Sequence, residues 1–285
     1  MSVVNTNVNA SIAQAALARN ERALGTAMEQ LSTGRKISSA ADNASGLAIS
    51  ARMTSQIRGL DQAVRNANDA VSMVNTAEGA LDEITDMLQR VRELAVQSGT
   101  GTTSSNDRVF LDAEFDHLIA EIERVSANTQ WNGRNILNGA AGGAATVSGV
   151  SFQVGMDPSQ TIAVNFGNMA SDATMASLNG FGLDATTVAS GIAKASRVIT
   201  AADVAIEAVS TQRATFGAVS NRLEHAIDNL TNVSTQTAAA RSRILDTDYA
   251  ASTSELARTQ IIQQASTAML AQANQLPATV LALLR

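Results

Sequence analysis

Residues 57–98 read IRGLDQAVRNANDAVSMVNTAEGALDEITDMLQRVRELAVQS. Ile57, Leu60, Val64, Ala67, Val71 and Val74 step by alternating threes and fours, the spacing that lines one face of a coiled-coil helix. Beyond Val74 the series restarts at Ala77 and continues through Leu81, Ile84, Leu88, Val91 and Ala95. The two successive steps of three from Val71 to Ala77 predict a local stammer, which overwinds a coiled coil. A continuous helix over 43–98 would be about 80 Å long, at roughly 1.5 Å per residue.

The same signature returns over 187–243, through Ile192, Ala195, Ile199, Ala202, Ile206, Val209, Phe216, Val219, Leu223, Ala226, Leu230 and Val233. Its regular steps slip near Val209, where Gln212 falls on the seam. Two long helices with matched seams predict an antiparallel pair. Between them, Leu111, Phe115, Leu118, Ile122 and Val125 mark a helix over 107–128, with Asn106 and Asp107 as candidate caps. Across 129–186 the pattern changes. GAAGGAATVSG is a breaker, and VSFQV and TIAVNF alternate apolar and polar residues on either side of GMDPSQ, which predicts a β-hairpin.

The two ends resemble each other. Leu17, Leu24 and Leu31 are spaced by seven, as are Ile262, Met269 and Leu276, with Ala265 and Gln272 between them. The chain closes on ANQLPATVLALLR, which sets Leu276, Val280, Leu281, Leu283 and Leu284 where termini usually fray. Each such side chain forgoes about 1.5–3 kcal/mol if it stays in water. Either each terminal helix folds back on the long pair, or the two pair with each other and with copies of themselves when many chains assemble.

Composition agrees with slim, closely packed helices. The chain is 45% hydrophobic but only 3% aromatic, so alanine and aliphatic residues form the core material, and only two prolines interrupt it. A formal net charge of −6 gives no electrostatic footprint for nucleic acid. With no cysteine there is neither a disulfide framework nor a thiolate metal site. The opening MSVVNTNVNASIAQAALARN has no cationic n-region followed by an apolar run, so export without a cleaved signal peptide is expected, and no stretch has the length of a membrane span.

Catalytic signatures are missing. His117 and His225 stand in no H-E-x-x-H arrangement and read as solvated or seam-flanking, GRKIS at 34–38 lacks P-loop spacing, and GAAGG is not a dinucleotide fingerprint. Asp246 and Asp248 of LDTDY read as helix caps, and Arg90, Arg92 and Glu93 of RVREL as a solvated helix face. The expectation is a protein that is not an enzyme and has no cofactor or metal.

At this point the residues resemble a family. LSTGRKISSAADNASGLAIS at 31–50, RNANDAVSMVNTAEGALDEITDMLQRVRELAVQS at 65–98 and NTQWNGRNIL at 128–137 are similar to the N-terminal region of bacterial flagellins. The ending ANQLPATVLALLR is similar to their C-terminus, and FQVG at 152–155 to their short hairpin. The resemblance covers about 1–139 and 187–285. Asn43 departs from it, standing where many relatives carry a second aspartate, as does Trp131, where phenylalanine is common, and the central variable region is almost absent.

The resemblance implies a mainly α fold: a long antiparallel helical rod, a coiled-coil-like bundle, with a small β-hairpin region and terminal helices that form an inner coiled coil on assembly. It divides the chain into an N-terminal core helix and spoke segment (1–42), the two halves of the rod (43–139 and 187–243), a hairpin or variable region (140–186), and a second spoke and C-terminal core helix (244–285). It implies a structural subunit that polymerises with itself into the extracellular flagellar filament, for motility, after type III secretion. Leu17, Leu24, Leu31, Ile262, Met269, Leu276, Leu281 and Leu284 are then the filament-core assembly residues.

Partners implied by the same resemblance are an export chaperone on about Ile261 to Leu284, the filament cap and hook-junction proteins, and the vertebrate innate receptor for flagellin. Carried over by position, Leu88, Gln89, Arg90, Leu94, Gln97 and Glu114 would contact that receptor. Nucleic acid and membrane insertion are not expected. The seam slips near Val74 and Val209 are the expected seat of the strain behind filament supercoiling. The alternatives are a hook-filament junction protein, which shares the helical ends, and a flagellin-like cell-surface binding protein displaying its short middle region.

Overall fold

The computed structural model describes residues 7–142, 149–169 and 177–283, with side chains described to residue 275 in the last helix. Its elements are α1 (Val8–Thr33), α2 (Ala40–Ser98), α3 (Ser105–Asn128), β1 (Gln130–Trp131), β2 (Arg134–Asn135), β3 (Gly149–Gln153), β4 (Thr161–Asn165), α4 (Val188–Leu245) and α5 (Tyr249–Leu283). The chain divides into two compact units, Arg58–Ser234 and the pair of segments Met1–Ile57 and Thr235–Arg285. The fold is mainly α with a small antiparallel hairpin, as expected.

Within Arg58–Ser234, α2 and α4 run antiparallel. Three ties show the direction: Asp61 accepts from the Ser234 hydroxyl, Asp82 pairs with Arg213, and Arg92 pairs with Asp203, so rising numbers on α2 meet falling numbers on α4. Arg92 therefore bridges two helices instead of standing on a merely solvated face. Met73, Leu94 and Ser98 are buried on α2 beside a seam of buried residues formed by Leu60, Ala63, Ala67, Ala70, Val74, Ala77, Leu81, Ile84, Leu88, Val91 and Ala95. These steps alternate without interruption. Ala63 and Ala70 hold the seam in place of Val64 and Val71, which flank it half-buried, so the stammer expected at Val74 is absent.

The partner seam is just as regular: Ala195, Val198, Ala202, Ala205, Val209, half-buried Gln212, Phe216, Val219, Leu223, half-buried Ala226 and Leu230. The slip expected near Val209 disappears with Ala205 on the seam. Ile192 and Val233, expected on it, are exposed. Gln212 keeps its seam position because its amide has a partner, donating to the Asn165 carbonyl at 2.7 Å. That bond ties the end of β4 to α4.

α3 begins two to three residues earlier than Asn106 and Asp107 suggest. Ser104 is the N-cap, and it forms a reciprocal capping box with Asp107 that satisfies an otherwise orphaned amide at each end. Phe115, Ile119 and Ile122 bury the inner face of α3. β1 and β2 then pair across Asn132 and Gly133, both with positive φ, the geometry a two-residue hairpin turn requires. β3 and β4 pair with Val150 opposite Val164 and Phe152 opposite Ile162 on one face. Ile162, Val164 and Phe166 enter the core, and the Phe166 ring lies 5.4 Å from that of Phe216.

A candidate subunit-packing surface on the terminal helices

In the unit that contains both ends, α1 starts where the Asn7 carboxamide oxygen accepts from the Ala10 amide. It stops at Gly34, whose left-handed φ of 68° lets its amide donate to the Gln30 carbonyl. α5 starts at Asp248, whose carboxylate accepts from the Ala250 and Ala251 amides. Between the α4 end and α5, the Lys36 amide donates to the Leu245 carbonyl and the Thr247 amide to that of Gly34. Arg35 and Asp246 form an antiparallel bridge at the same place.

From that anchor α1 and α5 lie antiparallel against each other. The Asn20 amide nitrogen donates to the Thr259 carbonyl at 2.8 Å, and that of Asn7 to the Ala273 carbonyl at 2.7 Å. The seam on α1 is Ala13, Leu17, Asn20, Leu24, Ala27 and Leu31. On α5 it is Ser252, Leu256, Thr259, Gln263, Ser266, Leu270 and Ala273. Leu17, Leu24 and Leu31 thus stand half-buried where their spacing puts them.

Ile262 and Met269 do not. They lie off the seam, with Met269 66% exposed, because Thr259, Gln263, Ser266 and Leu270 hold the α5 positions that face α1 there. The side chains of Leu276 and Leu281, and all of Leu284, lie outside the described residues.

The result is a helix pair whose seam mixes leucine and alanine with polar side chains and which leaves other large apolar side chains outside. Ile12 is 63% exposed, Ile261 66%, and Val8 and Met28 are also exposed. A groove of about 510 Å³ runs between the helices, lined by Ile12, Ala13, Ala16, Ile262, Ala265 and Met269 among others. Exposed apolar area of this kind marks an interaction site.

The chain matches family models described as the bacterial flagellin N-terminal helical region, over residues 4–141, and the bacterial flagellin C-terminal helical region, over residues 199–284. The chain belongs to the bacterial flagellin family. It is 44% identical to the flagellin of Halalkalibacterium halodurans, over 99% of this chain and 100% of that protein. It is 42% identical to the flagellin of Bacillus subtilis, over 99% of each. With the flagellar filament 33 kDa core protein of Treponema phagedenis it shares 39% identity, over 99% of this chain and 100% of that protein. Flagellins are structural proteins, and this one is a structural subunit of a flagellar filament.

In this flagellin the residues expected to meet the innate receptor separate into two groups. Leu88 and Leu94 are fully buried in the core, so neither side chain is available to a partner. Leu88 stands on the seam of α2 and Leu94 beside it in the same core. Gln89, Arg90, Gln97 and Glu114 are exposed. Arg90 is bound to Glu114 at 2.6 Å and to Glu93 at 3.1 Å, and these hydrogen bonds, that to Glu114 foremost, raise its pKa above the ordinary guanidinium value. Arg90 therefore ties α2 to α3 before any partner arrives.

Among the described residues no group of three or more His, Cys, Asp or Glu is placed to hold a metal, and no helix is long and apolar enough to cross a membrane. Asp116 has its pKa raised by desolvation and by the charges of Asp112 and Asp184, but Asp112 accepts from the Leu183 amide and Asp184 binds Lys194. Sequence reasoning missed Asn7 and Asn20. The signal was available, since Asn20 falls between Leu17 and Leu24 at seam spacing, where a polar residue sets register.

Proposed function

We propose that the outer face of the α1–α5 pair, with Ile12, Ile262 and Met269 at its centre, is the surface through which subunits of this filament protein pack on one another. The observation that carries this reading is the apolar groove on the pair, with large apolar side chains left outside a seam that is itself part leucine and part polar. That seam contains Asn20, Thr259, Gln263 and Ser266, while Ile12, Ile261 and Met269 face outward. A pair so built leaves Ile12, Ile261, Ile262 and Met269 in water, and further copies complete their burial. The filament supplies those copies. Leu17, Leu24 and Leu31 fix the pair, and Ile262, Met269, Leu276, Leu281 and Leu284 join it to neighbours.

The finer partners follow the family. An export chaperone covers the segment from Ile261 to Leu284 before assembly, and cap and hook-junction proteins meet the ends of the polymer. Secretion through the flagellar type III apparatus places the filament outside the cell. For the vertebrate receptor the contact set reduces to Gln89, Arg90, Gln97 and Glu114, since only these present side chains to solvent.

The test is seeded polymerisation of purified monomer followed by electron microscopy, comparing the full chain with one truncated after Ala257. The full chain is expected to form long filaments and the truncated chain to stay monomeric yet helical. Filaments from the truncated chain would remove the C-terminal helix from the assembly contact.

A further inference from the structure

We propose that Met269 is an oxidation site through which peroxide gates assembly of the subunit, an inference that rests on the packing role given above to the α1–α5 face. The chain has nine methionines and no cysteine, so its thioethers are the softest nucleophiles available to an oxidant. Met73 and Met169 are buried, whereas Met28, Met156 and Met269 are exposed. Of these, Met269 is the most exposed, and it alone lines the groove between α1 and α5, with Ile12 and Ile262.

The step is a two-electron oxygen transfer. A lone pair on Met269 Sδ attacks one oxygen of hydrogen peroxide, the O–O bond breaks, and the sulfur keeps that oxygen as a sulfoxide. The transferred oxygen's proton passes to the departing hydroxide, which leaves as water. The sulfide is oxidised and the peroxide reduced. The product places a polar, strongly accepting oxygen among Ile12, Ala16, Ile262 and Ala265, where packing by a second subunit strips away its water. A free subunit is thus vulnerable at the surface it needs for assembly. Once packed, the same sulfur is shielded.

The experiment treats full-chain monomer with hydrogen peroxide, locates sulfoxides by peptide mass spectrometry, and adds the product to filament seeds. Oxidation at Met269 is expected to slow elongation by about tenfold or more, as burial of an unsatisfied polar group implies. A Met269→Leu variant keeps its elongation rate after the same treatment, whereas a Met28→Leu, Met156→Leu double variant loses it as the unsubstituted chain does. In assembled filaments Met269 oxidises about tenfold or more slowly than in monomer, and this protection decides the matter if Met269→Leu itself elongates poorly.

The proposal is overturned if chain oxidised at Met269 elongates at the untreated rate, if treated Met269→Leu loses as much as the unsubstituted chain, or if filaments give no protection. An Ile12→Asp variant separates the two readings. Normal elongation of Ile12→Asp removes the groove from the assembly contact and takes both readings with it. Blocked elongation of Ile12→Asp beside a competent oxidised chain overturns the oxidation site alone.

Discussion

Arg108 is a cation in the interior of its unit, fully buried, and its guanidinium donates to the carbonyls of Ser98 and Thr100 at the C-terminal end of α2. The Ser98 carbonyl, on the last residue of α2, lacks an intrahelical partner and lies at the negative end of the helix dipole, so the arginine acts as its cap, and the Thr100 carbonyl lies just past the helix. Gly191 makes room for it: a Cβ there would lie 2.6 Å from Arg108 Nε. Gly191→Ala is therefore expected to cost about 1–3 kcal/mol, read from the chemical denaturation midpoint, because the guanidinium cannot move without abandoning its carbonyls. Asp42 makes a second residue-scale prediction. Its carboxylate accepts from the Ser39 and Ser38 amides and the Ser39 hydroxyl, and these bonds, the Ser39 amide first, hold its pKa below the ordinary carboxylate value. A lowered carboxylate pKa stabilises the folded turn above the unfolded value and ceases to do so as pH falls through the folded one. Amide exchange at Ser38 and Ser39 should be faster in Asp42→Asn than in the unsubstituted chain at neutral pH, and the two should converge in acid below the carboxylate range. Asp248 was legible as a cap from its place in LDTDY. Arg108 was not, because a lone arginine in a helical pattern reads as surface until Gly191 is brought against it.

The seams are decided at the scale of the element. Val64 and Val71 attract a reading based on hydrophobicity, yet Ala63 and Ala70 are the buried residues, because close helix approach selects the smaller side chain. With alanine on the seam the steps become regular in both α2 and α4, and the premise for strain stored at Val74 and Val209 is gone. Ala70→Leu should then destabilise by about 1–3 kcal/mol in thermal unfolding through overpacking, more than Val71→Ala does. The reverse ranking would return Val71 to the seam. Gln212 shows how an element accommodates an apparent error: its seam position is polar because β4 presents the Asn165 carbonyl there. The β3–β4 hairpin was readable from alternation alone. The β1–β2 turn carried an equally clear signal in Asn132-Gly133, overshadowed by the family motif that contains it.

Over the whole molecule the two units differ in how much apolar surface they bury. The Arg58–Ser234 unit has a continuous core from Ala67 to Leu223, whereas the α1–α5 pair has a seam rich in polar and small side chains. Amides of α1 and α5 in the monomer should therefore exchange sooner than seam amides of α2 between Leu81 and Val91, and incorporation into filaments should slow those of α1 and α5 most. Hydrogen-exchange mass spectrometry of monomer and filament makes the comparison. The mainly helical class, the antiparallel pairing of two long helices and the filament family are determined by the sequence alone, since heptad spacing and local motifs are properties of a single strand of residues. Which residues face inward was left to the tertiary structure. It put Ala70 inside in place of Val71, closed Leu88 and Leu94 to any partner, and turned Met269 outward while Thr259 and Gln263 face α1, because burial depends on how closely the opposing helix approaches and on what polar group it offers.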